Sequence, residues 1–285
     1  SAVRIHFITK LSDTLHYHFI GIGGIGMSGI AKVLISKKFS VSGSDVLNND
    51  QTKKLCSIGA TIFNNQNQKN IDAIVEKFPD KKIIAVISSA IKENNIELSY
   101  CIEKKISIRH RSEILSMIMN NYESIGVAGT HGKTSTSTFL FTLLDLSTSN
   151  VSGIVGGILP KYNNNSFIKD TKYFVGELDE SDGSISNYKI NLGILNNIDY
   201  DHCDYYKNIE QMINSFKIFE FNSKKLLVNG DCEMIKKYIK SDYKWSTVNV
   251  NNINYSLIPL NQTATSTTAD YFEQGKLISK LEIPI

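Results

Sequence analysis

The sequence predicts an α/β fold with two domains, and three observations lead to it. Short apolar runs alternate with helical patterns from about residue 16 onward, which indicates parallel strands covered by helices. Two glycine-rich segments, residues 21–26 and 129–132, each lie between a predicted strand and a predicted helix. A chain of 285 residues is long enough for two domains that each bury a core.

The elements of the first domain are predicted before residue 121. Strands are expected at residues 16–20, 39–43, 60–63 and 82–87, and helices at 25–38, 71–78 and 112–120. The domain boundary is placed near Asn121, between the last of these helices and a new strand. The predicted domains are therefore residues 1–121 and 122–285.

The second domain repeats the alternation less regularly. Strands are expected at residues 124–128, 172–178, 191–196 and 225–229, and helices at 137–146, at 209–221 and after Asp231. Residues 246–270 are rich in Asn, Thr and Ser and lack a sustained period, which predicts a loop region or weak strands at the surface.

Composition and charge limit the possible functions. A net charge of +3 without a Lys/Arg cluster argues against a nucleic-acid partner. The four cysteines are widely spaced and form no C-x-x-C pair, which is typical of reduced thiols in a cytosolic protein. No run of 18 apolar residues and no signal-peptide core are present, so the expected location is the cytoplasm, without a membrane span.

The first glycine-rich segment has the spacing G-x-G-x-x-G, formed by Gly21, Gly23 and Gly26. Glycines let backbone amides approach a diphosphate, and the helix N-terminus behind them attracts negative charge. Asp45 ends the next predicted strand, where dinucleotide folds place a ribose-binding acid. A helix cap is an equal alternative for Asp45. The loop alone leaves NAD, FAD and nucleotide sugars open as ligands.

The second glycine-rich segment, residues 129–136, contains Gly132, Lys133 and Thr134 in the order of a triphosphate-binding loop. Backbone amides and Lys133 would surround the β- and γ-phosphates, and the Thr134 hydroxyl would bind Mg²⁺. A strict G-x-x-x-x-G-K motif would need glycine at position 127, which is Val127. The segment therefore predicts a triphosphate site of unusual spacing.

Two acidic clusters follow this loop. Residues 177–182 and 197–204 each come directly after a predicted strand, and oxygen-rich clusters at strand ends suit Mg²⁺. This chemistry alone favours the aspartates of both clusters as ligands. Cys203 lies beside His202 without thiolate partners, so a zinc site is not expected.

Together these motifs resemble a known family. The segment Gly129-Thr-His-Gly-Lys-Thr134 resembles the G-T-x-G-K-T loop of the Mur ligase superfamily. The first loop with Met27 and Ser28, together with residues 42–45 and 88–91, is similar to the alanine-adding (MurC) branch. The resemblance covers essentially all 285 residues.

The resemblance implies a fold and an activity. It implies an N-terminal Rossmann-like parallel-sheet domain and a central P-loop-type α/β ATPase domain, truncated before a C-terminal domain. It also implies an ATP- and Mg²⁺-dependent ligase that joins L-alanine to the lactyl carboxylate of UDP-N-acetylmuramic acid through an acyl phosphate, in peptidoglycan and cell-wall synthesis.

The resemblance also assigns residues to roles. The catalytic residues would be Lys133, Glu177 and His202, and the metal ligands Thr134, Glu177 and His202. The ATP contacts would be Gly129, Thr130, His131, Gly132, Lys133, Thr134, Ser135 and Asn197. The UDP-sugar contacts would be Gly21, Gly23, Gly24, Ile25, Gly26, Asp45, Ser88, Ser89 and Arg111. Loop packing is an alternative for His131, and an ordinary helix start is an alternative for Arg111.

Two rival functions stay open at this stage. An NAD-dependent oxidoreductase would use the first loop and Asp45 but would leave the second loop unexplained. A nucleotide-binding module without catalysis is the other, because members of the family continue past the position of Ile285 into a further domain. This piece alone is accordingly expected to bind the UDP-sugar without forming product.

Overall fold

The computed structural model describes residues 13–147, 150–200 and 205–284. These residues form two compact units. Unit 1 holds the described residues up to 122 together with residues 137–176. Unit 2 holds residues 123–136 together with the described residues from 177 onward. Residues 137–176 thus group with the N-terminal part of the chain, although they follow the boundary predicted near Asn121.

Unit 1 contains a five-stranded parallel sheet. Its strands are β1 (Leu15–Ile20), β2 (Ser40–Ser44), β3 (Thr61–Phe63), β4 (Lys82–Ile87) and β5 (Ser107–His110). They lie in the order β3-β2-β1-β4-β5. Strands β2 and β3 are therefore added on one side of β1, and strands β4 and β5 on its other side. The helices that accompany them are α1 (Ile25–Ser36), α2 (Asp50–Ser57), α3 (Gln68–Lys77), α4 (Ile96–Glu103) and α5 (Arg111–Met119).

Burial explains why β1 lies at the centre of this sheet. Every residue of β1 after Leu15 is buried, and α1 presents seven buried residues along its length. Ile20, the last residue of β1, belongs to a core cluster with Ile71 of α3 and Leu98 of α4. This cluster packs both helices against the sheet. Burial on both faces, including that of His16 and His18, is what a central strand between two parallel neighbours requires.

The chain then forms β6 (Glu123–Ala128) and α6 (Lys133–Leu146), followed by β7 (Val151–Leu159), β8 (Asn164–Phe167) and β9 (Tyr173–Glu177). In unit 1, β7 and β8 form an antiparallel hairpin, and β7 also pairs with β9 in parallel. The hairpin packs on α6, where the buried ring of Phe141 stacks on Phe167 with centroids 4.5 Å apart. It also contacts α1, because Asn165 Nδ2 donates to Ile25 O at 2.9 Å.

Unit 2 is built on a second sheet with the strand order β15-β14-β13-β12-β11-β10-β6. Its later strands are β10 (Ile190–Leu195), β11 (Ser223–Asn229), β12 (Tyr243–Ser246), β13 (Tyr255–Gln262), β14 (Ser266–Glu273) and β15 (Lys276–Pro284). The pairings from β6 to β13 are parallel, and those of β13, β14 and β15 are antiparallel. Two helices, α7 (Ile209–Asn222) and α8 (Glu233–Tyr238), and a 3₁₀ turn (Ser184–Asn187) complete the unit.

The α/β prediction is confirmed, and the differences concern short or polar elements. The missed elements are α2, α4, β5, β7, β8, β12 and β15. The polar segment 246–270, expected as loop or weak strand, contains β13 and the first half of β14, which pair with each other over their length. Across the described ranges, no helix combines the length and apolar character that a membrane crossing requires.

Candidate functional site: two glycine loops at strand ends

The first glycine loop connects β1 to α1 and is anchored on the neighbouring strand. The amides of Gly21 and Ile22 both donate to Ser44 O, at 2.8 and 3.0 Å. Helix α1 begins directly afterwards at Ile25, with Gly24 in the N-cap position. The loop thus lies at the carboxyl end of the parallel strands, where the first amides of α1 can donate hydrogen bonds to an anionic group.

Asp45 lies against this loop and does not cap the following helix. Its Oδ2 accepts a hydrogen bond from the Gly23 amide at 2.7 Å, and its Oδ1 accepts one from Leu47 N at 2.9 Å. The N-cap of α2 is Asn49, whose side chain accepts from the amides of Gln51 and Thr52. The helix-cap alternative for Asp45 is therefore wrong, because Asn49 occupies that position.

No side chain fits at position 23 without a rearrangement. A Cβ on Gly23 would lie 2.8 Å from Asp45 Oδ2 and 2.8 Å from Asn49 Nδ2. Asn49 Nδ2 also donates to Gly23 O at 3.1 Å. A side chain at this position would have to displace these two polar groups, which hold the loop from one side.

Two other segments of unit 1 reach the same loop. Arg111 begins α5, and its Nη1 lies 2.5 Å from where a Cβ on Gly26 would be. Ser88 follows β4 and accepts from Ile91 N at 3.0 Å in a turn that includes Ser89. The Ile91 side chain in turn lies 3.1 Å from a Cβ placed on Gly21. Asp45 and Arg111 thus lie beside the loop, and the turn that contains Ser88 and Ser89 reaches it through Ile91. Their role as UDP-sugar contacts stays a prediction.

The second loop connects β6 to α6 and is held by the end of β10. Gly129 and Gly132 have φ values of 134° and 76°, in the region that favours glycine. Asn197 O accepts from Thr130 N at 3.2 Å, while its side chain accepts from His131 N at 2.8 Å and donates to His131 O at 3.1 Å. Asn197, which the resemblance assigns to ATP, here fixes the backbone of the loop.

Lys133, the first residue of α6, turns back over the loop. Its Nζ donates to Gly129 O at 2.8 Å and to Thr130 O at 3.2 Å, and it forms an ion pair with Glu180 Oε1 at 2.8 Å. The side chain of Glu180 is only 1% exposed. Burial raises the pKa of Glu180 above its usual range, and the charge of Lys133 opposes that rise. From the sequence, Glu180 is only one member of the acidic cluster at residues 177–182, with no individual role predicted.

Thr134 and Glu177 meet in the same unit. Thr134 Oγ1 donates to Glu177 Oε1 at 2.9 Å, on the exposed side of the first turn of α6, next to the exposed Ser135. A hydroxyl and a carboxylate oxygen at this distance are the hard ligands that Mg²⁺ takes, so these residues fit that ion. The third predicted ligand, His202, lies outside the described residues. Among the described residues, no group of three His, Cys, Asp or Glu side chains is arranged to hold a metal.

The described aspartates among those favoured on chemistry alone each accept a hydrogen bond from a backbone amide close by. Asp179 Oδ1 accepts from Ser181 N at 3.0 Å, and Asp182 Oδ1 accepts from Ser184 N at 3.0 Å. Asp199 Oδ1 accepts from Tyr200 N at 2.9 Å. Each carboxylate stabilises the turn that follows it. A short polar residue at the start of a turn gives the same sequence signal as a metal ligand.

Fold and site together define an α/β protein with two glycine loops of the phosphate-binding type, each between a buried strand and a helix. The chain belongs to the Mur ligase family. The profile described as Mur ligase family, catalytic domain, matches residues 16–123, and the profile of the Mur ligase middle domain matches residues 127–285. The resemblance identified from the sequence is confirmed.

Individual relatives agree with this assignment. The chain is 54% identical over 276 residues to a UDP-N-acetylmuramate–L-alanine ligase of Prochlorococcus marinus subsp. pastoris (strain MED4), covering 97% of this chain and 58% of that protein. A protein of the same name from Prochlorococcus marinus strain SARG is 44% identical, with 95% and 57% covered. The chain thus spans a little over half the length of these relatives.

Solved structures show the same fold. The crystal structure of UDP-N-acetylmuramate–alanine ligase from Thermotoga maritima superposes with a TM-score of 0.79 at 23% identity, covering 94% of this chain and 60% of that one. A UDP-N-acetylmuramate:L-alanyl-γ-D-glutamyl-meso-diaminopimelate ligase from Neisseria meningitides gives 0.81 at 20% identity, with 94% and 87% covered.

Proposed function

We propose that this chain forms the UDP-sugar-binding and ATP-binding part of a UDP-N-acetylmuramate–L-alanine ligase, acting in the cytoplasm in cell-wall synthesis. The observation that carries the proposal is the second loop, where Lys133 and the Thr134–Glu177 pair meet at the start of one helix. A relative that is 54% identical over 276 residues of this chain has this ligase name.

The first loop would hold the UDP-N-acetylmuramic acid diphosphate. The amides at the start of α1 and the guanidinium of Arg111 supply positive potential on two sides of Gly26. Asp45, on the Gly23 amide, is placed either to accept from a ribose hydroxyl or to orient the loop. In this proposal Ser88 and Ser89, in the turn after β4, line the same site.

The second loop would hold ATP. Lys133 would neutralise charge while the γ-phosphoryl group moves to the lactyl carboxylate, which forms an acyl phosphate and leaves ADP. The amine of L-alanine would then attack the acyl carbon, forming the amide bond and releasing phosphate. Thr134, Glu177 and His202 would hold Mg²⁺, and the bound ion would supply further positive charge to the phosphoryl oxygens.

Glu180 has a positioning role in this proposal. Its buried carboxylate holds Lys133 Nζ near the carbonyls of Gly129 and Thr130, so the lysine is already at the loop before a nucleotide arrives. A preorganised charge costs little reorganisation during phosphoryl transfer. The expected consequence is that Glu180 affects turnover through Lys133 rather than through contact with ATP.

The proposal is tested by incubating the protein, as the cell makes it, with UDP-N-acetylmuramic acid, ATP, Mg²⁺ and L-alanine. ADP release and the mass of UDP-N-acetylmuramoyl-L-alanine are followed together, with a reaction lacking L-alanine as the control. ADP formation that needs L-alanine and matches the product supports the ligase. Tighter binding of NADH than of the UDP-sugar, with no product, would favour the oxidoreductase.

A further inference from the structure

Unit 1 contains a cleft whose lining includes no residue of the glycine loop at residues 21–26. It lies between the C-terminal halves of α1 and α2 and the β7–β8 hairpin, and it encloses about 360 Å³. Cavities of this size fall at the lower end of the range for small-molecule sites. We name it the hairpin cleft; among its lining residues are Lys32, Lys54, Tyr162, Asn163, Asn164 and Ser166.

The hairpin cleft carries positive charge that no acid balances. Lys32 Nζ donates to the side-chain oxygens of Gln51, Asn164 and Asn165 at 2.7, 3.0 and 3.3 Å, and all three are neutral amides. Lys54 Nζ donates to Asn163 O and Oδ1 at 2.9 and 3.1 Å. No Asp or Glu lies among the residues that line the cleft in the described part of the chain.

The two ammonium groups influence each other. Burial, and then the positive charge of Lys54, lower the pKa of Lys32 to about 8. Burial is the larger cause, and the neutral amide oxygens around Lys32 compensate it less than an anion would. An anionic group in the cleft would relieve both effects, because it would interact with Lys32 and Lys54 together.

A buried hydroxyl supplies an independent sign of a missing partner. Ser166 is 6% exposed and lines the cleft, and its Oγ has no hydrogen-bond partner among the described residues. An unsatisfied buried hydroxyl is costly, so native structures rarely leave one without a reason. Ser166 thus brings an unpaired buried hydroxyl to the wall of the cleft.

We infer that the hairpin cleft binds the phosphate group of a small phosphorylated molecule, at a site separate from the two glycine loops. Two ammonium groups and a hydroxyl suit the several acceptor oxygens of a phosphate. Val33, Ile58 and Ile168 add an apolar part to the lining, which leaves room for an organic portion of the ligand. The site does not depend on the proposed ligase activity.

The test is an amide NMR titration of the protein with inorganic phosphate and, separately, with glucose 6-phosphate. Shifts are expected at Asn163, Ser166 and Ile168. Tighter binding of glucose 6-phosphate would identify an organic phosphate as the ligand, and equal affinity would identify inorganic phosphate. Shifts confined to the glycine loops, or no binding of either probe at millimolar concentration, would overturn the inference.

Variants separate a binding site from a structural contact. Lys32→Met and Lys54→Met should each weaken phosphate binding about tenfold, as expected for the loss of one charge-assisted hydrogen bond. Lys53→Met is the matched control, because Lys53 is exposed on the same helix as Lys54 and does not line the cleft.

Ser166→Ala is a variant that is not expected to impair folding, because the Ser166 hydroxyl has no hydrogen-bond partner to lose within the described structure. It should weaken phosphate binding about threefold while Tm stays equal or rises. UDP-N-acetylmuramic acid binding should be unchanged in all of these variants. Equal phosphate affinity in Ser166→Ala, Lys32→Met and the parent protein would contradict the inference, as would phosphate binding that only Gly23→Val or Lys133→Ala removes.

Discussion

The two glycine loops have the same backbone plan but obtain their positive charge differently. Each follows a buried strand and begins a helix. The second loop carries its own cation, Lys133, which Glu180 holds in place. The first loop contains no lysine, and its cation, Arg111, comes from the start of α5. The second loop thus carries its cation within its own segment, whereas the first depends on the fold to bring a cation to it.

This contrast has a physical consequence. The buried ion pair between Lys133 of the second loop and Glu180 links the charge of this loop to local stability, because removing one partner leaves the other uncompensated. The first loop takes its polar partners from the ends of β2 and β4 and from α5, so its affinity depends on the packing of unit 1. Changes in the two loops should therefore produce different kinds of defect.

The largest expected effect is that of Lys133→Ala on turnover. Loss of one preorganised charge stabiliser typically lowers kcat by about 10²–10³-fold. Steady-state kinetics of L-alanine-dependent ADP release by the complete enzyme measures it, with Lys53→Ala as a surface control. Near-normal turnover would show that the second loop is not the triphosphate site.

Glu180→Gln should destabilise the protein by about 3 kcal/mol, because it leaves the charge of Lys133 without its buried counter-ion. Denaturant unfolding measures this loss of unfolding free energy. Glu177→Gln is the control, since Glu177 is less buried and its partner Thr134 is neutral. In the double variant Lys133→Met/Glu180→Gln, part of the stability should return. An equal, small effect of both single variants would contradict the role of Glu180.

Acid should weaken the protein through the strand that leads to the first loop. His16 on β1 is buried, with its nitrogens 2.6 Å from the hydroxyls of Ser40 and Ser42. Burial, and then the positive charges of His18, Lys81 and Lys77, lower the pKa of His16 to about 3. The strand before the second loop, β6, contains no histidine.

The sign of this effect follows from proton uptake. In the unfolded chain the histidine has its ordinary pKa near 6.5, so it binds a proton that His16 in the folded protein does not bind. Stability that is present at pH 7 is therefore lost as the pH falls below about 6.5. Between pH 7 and 5 the loss is about 2 kcal/mol. Urea unfolding at both values should show a smaller decrease in His16→Asn. An unchanged decrease would assign the acid sensitivity to other groups.

The smallest effect is expected at Arg111, which reaches the first loop from α5. Arg111→Ala should weaken UDP-N-acetylmuramic acid binding about tenfold, as for one charge-assisted hydrogen bond, and leave ATP binding unchanged. Arg109→Ala is the matched control, because the exposed Arg109 pairs with Glu113 at 2.9 Å. Equal effects of the two variants would restore the alternative that Arg111 is only a helix start.

The sequence predicted the features that local patterns encode. The two loops, their strands and their helices follow from glycine spacing and apolar runs, and the structure places them where they were expected. The predicted strand at residues 82–87 has the observed bounds. Such elements are identifiable because their hydrophobic period continues over several residues.

The missed features depend on contacts between distant parts of the chain. No local pattern shows that Glu180 pairs with Lys133, 47 residues earlier, or that Asp45 binds the Gly23 amide. The polar strands β13 and β14 are stabilised by their ladder with each other, which overrides their weak intrinsic preference. The roles assigned to individual site residues stay predictions.

In the proposed function the two loops are separate anion sites with different ligands. This separation is tested most directly by calorimetry of UDP-N-acetylmuramic acid and of Mg-ATP with the parent protein, Gly23→Val and Lys133→Ala. Gly23→Val should weaken the UDP-sugar at least about tenfold and leave ATP binding intact, because the new side chain would collide with Asp45 and Asn49. Lys133→Ala should do the reverse. Loss of both ligands in either variant, or of neither in both, would contradict the account.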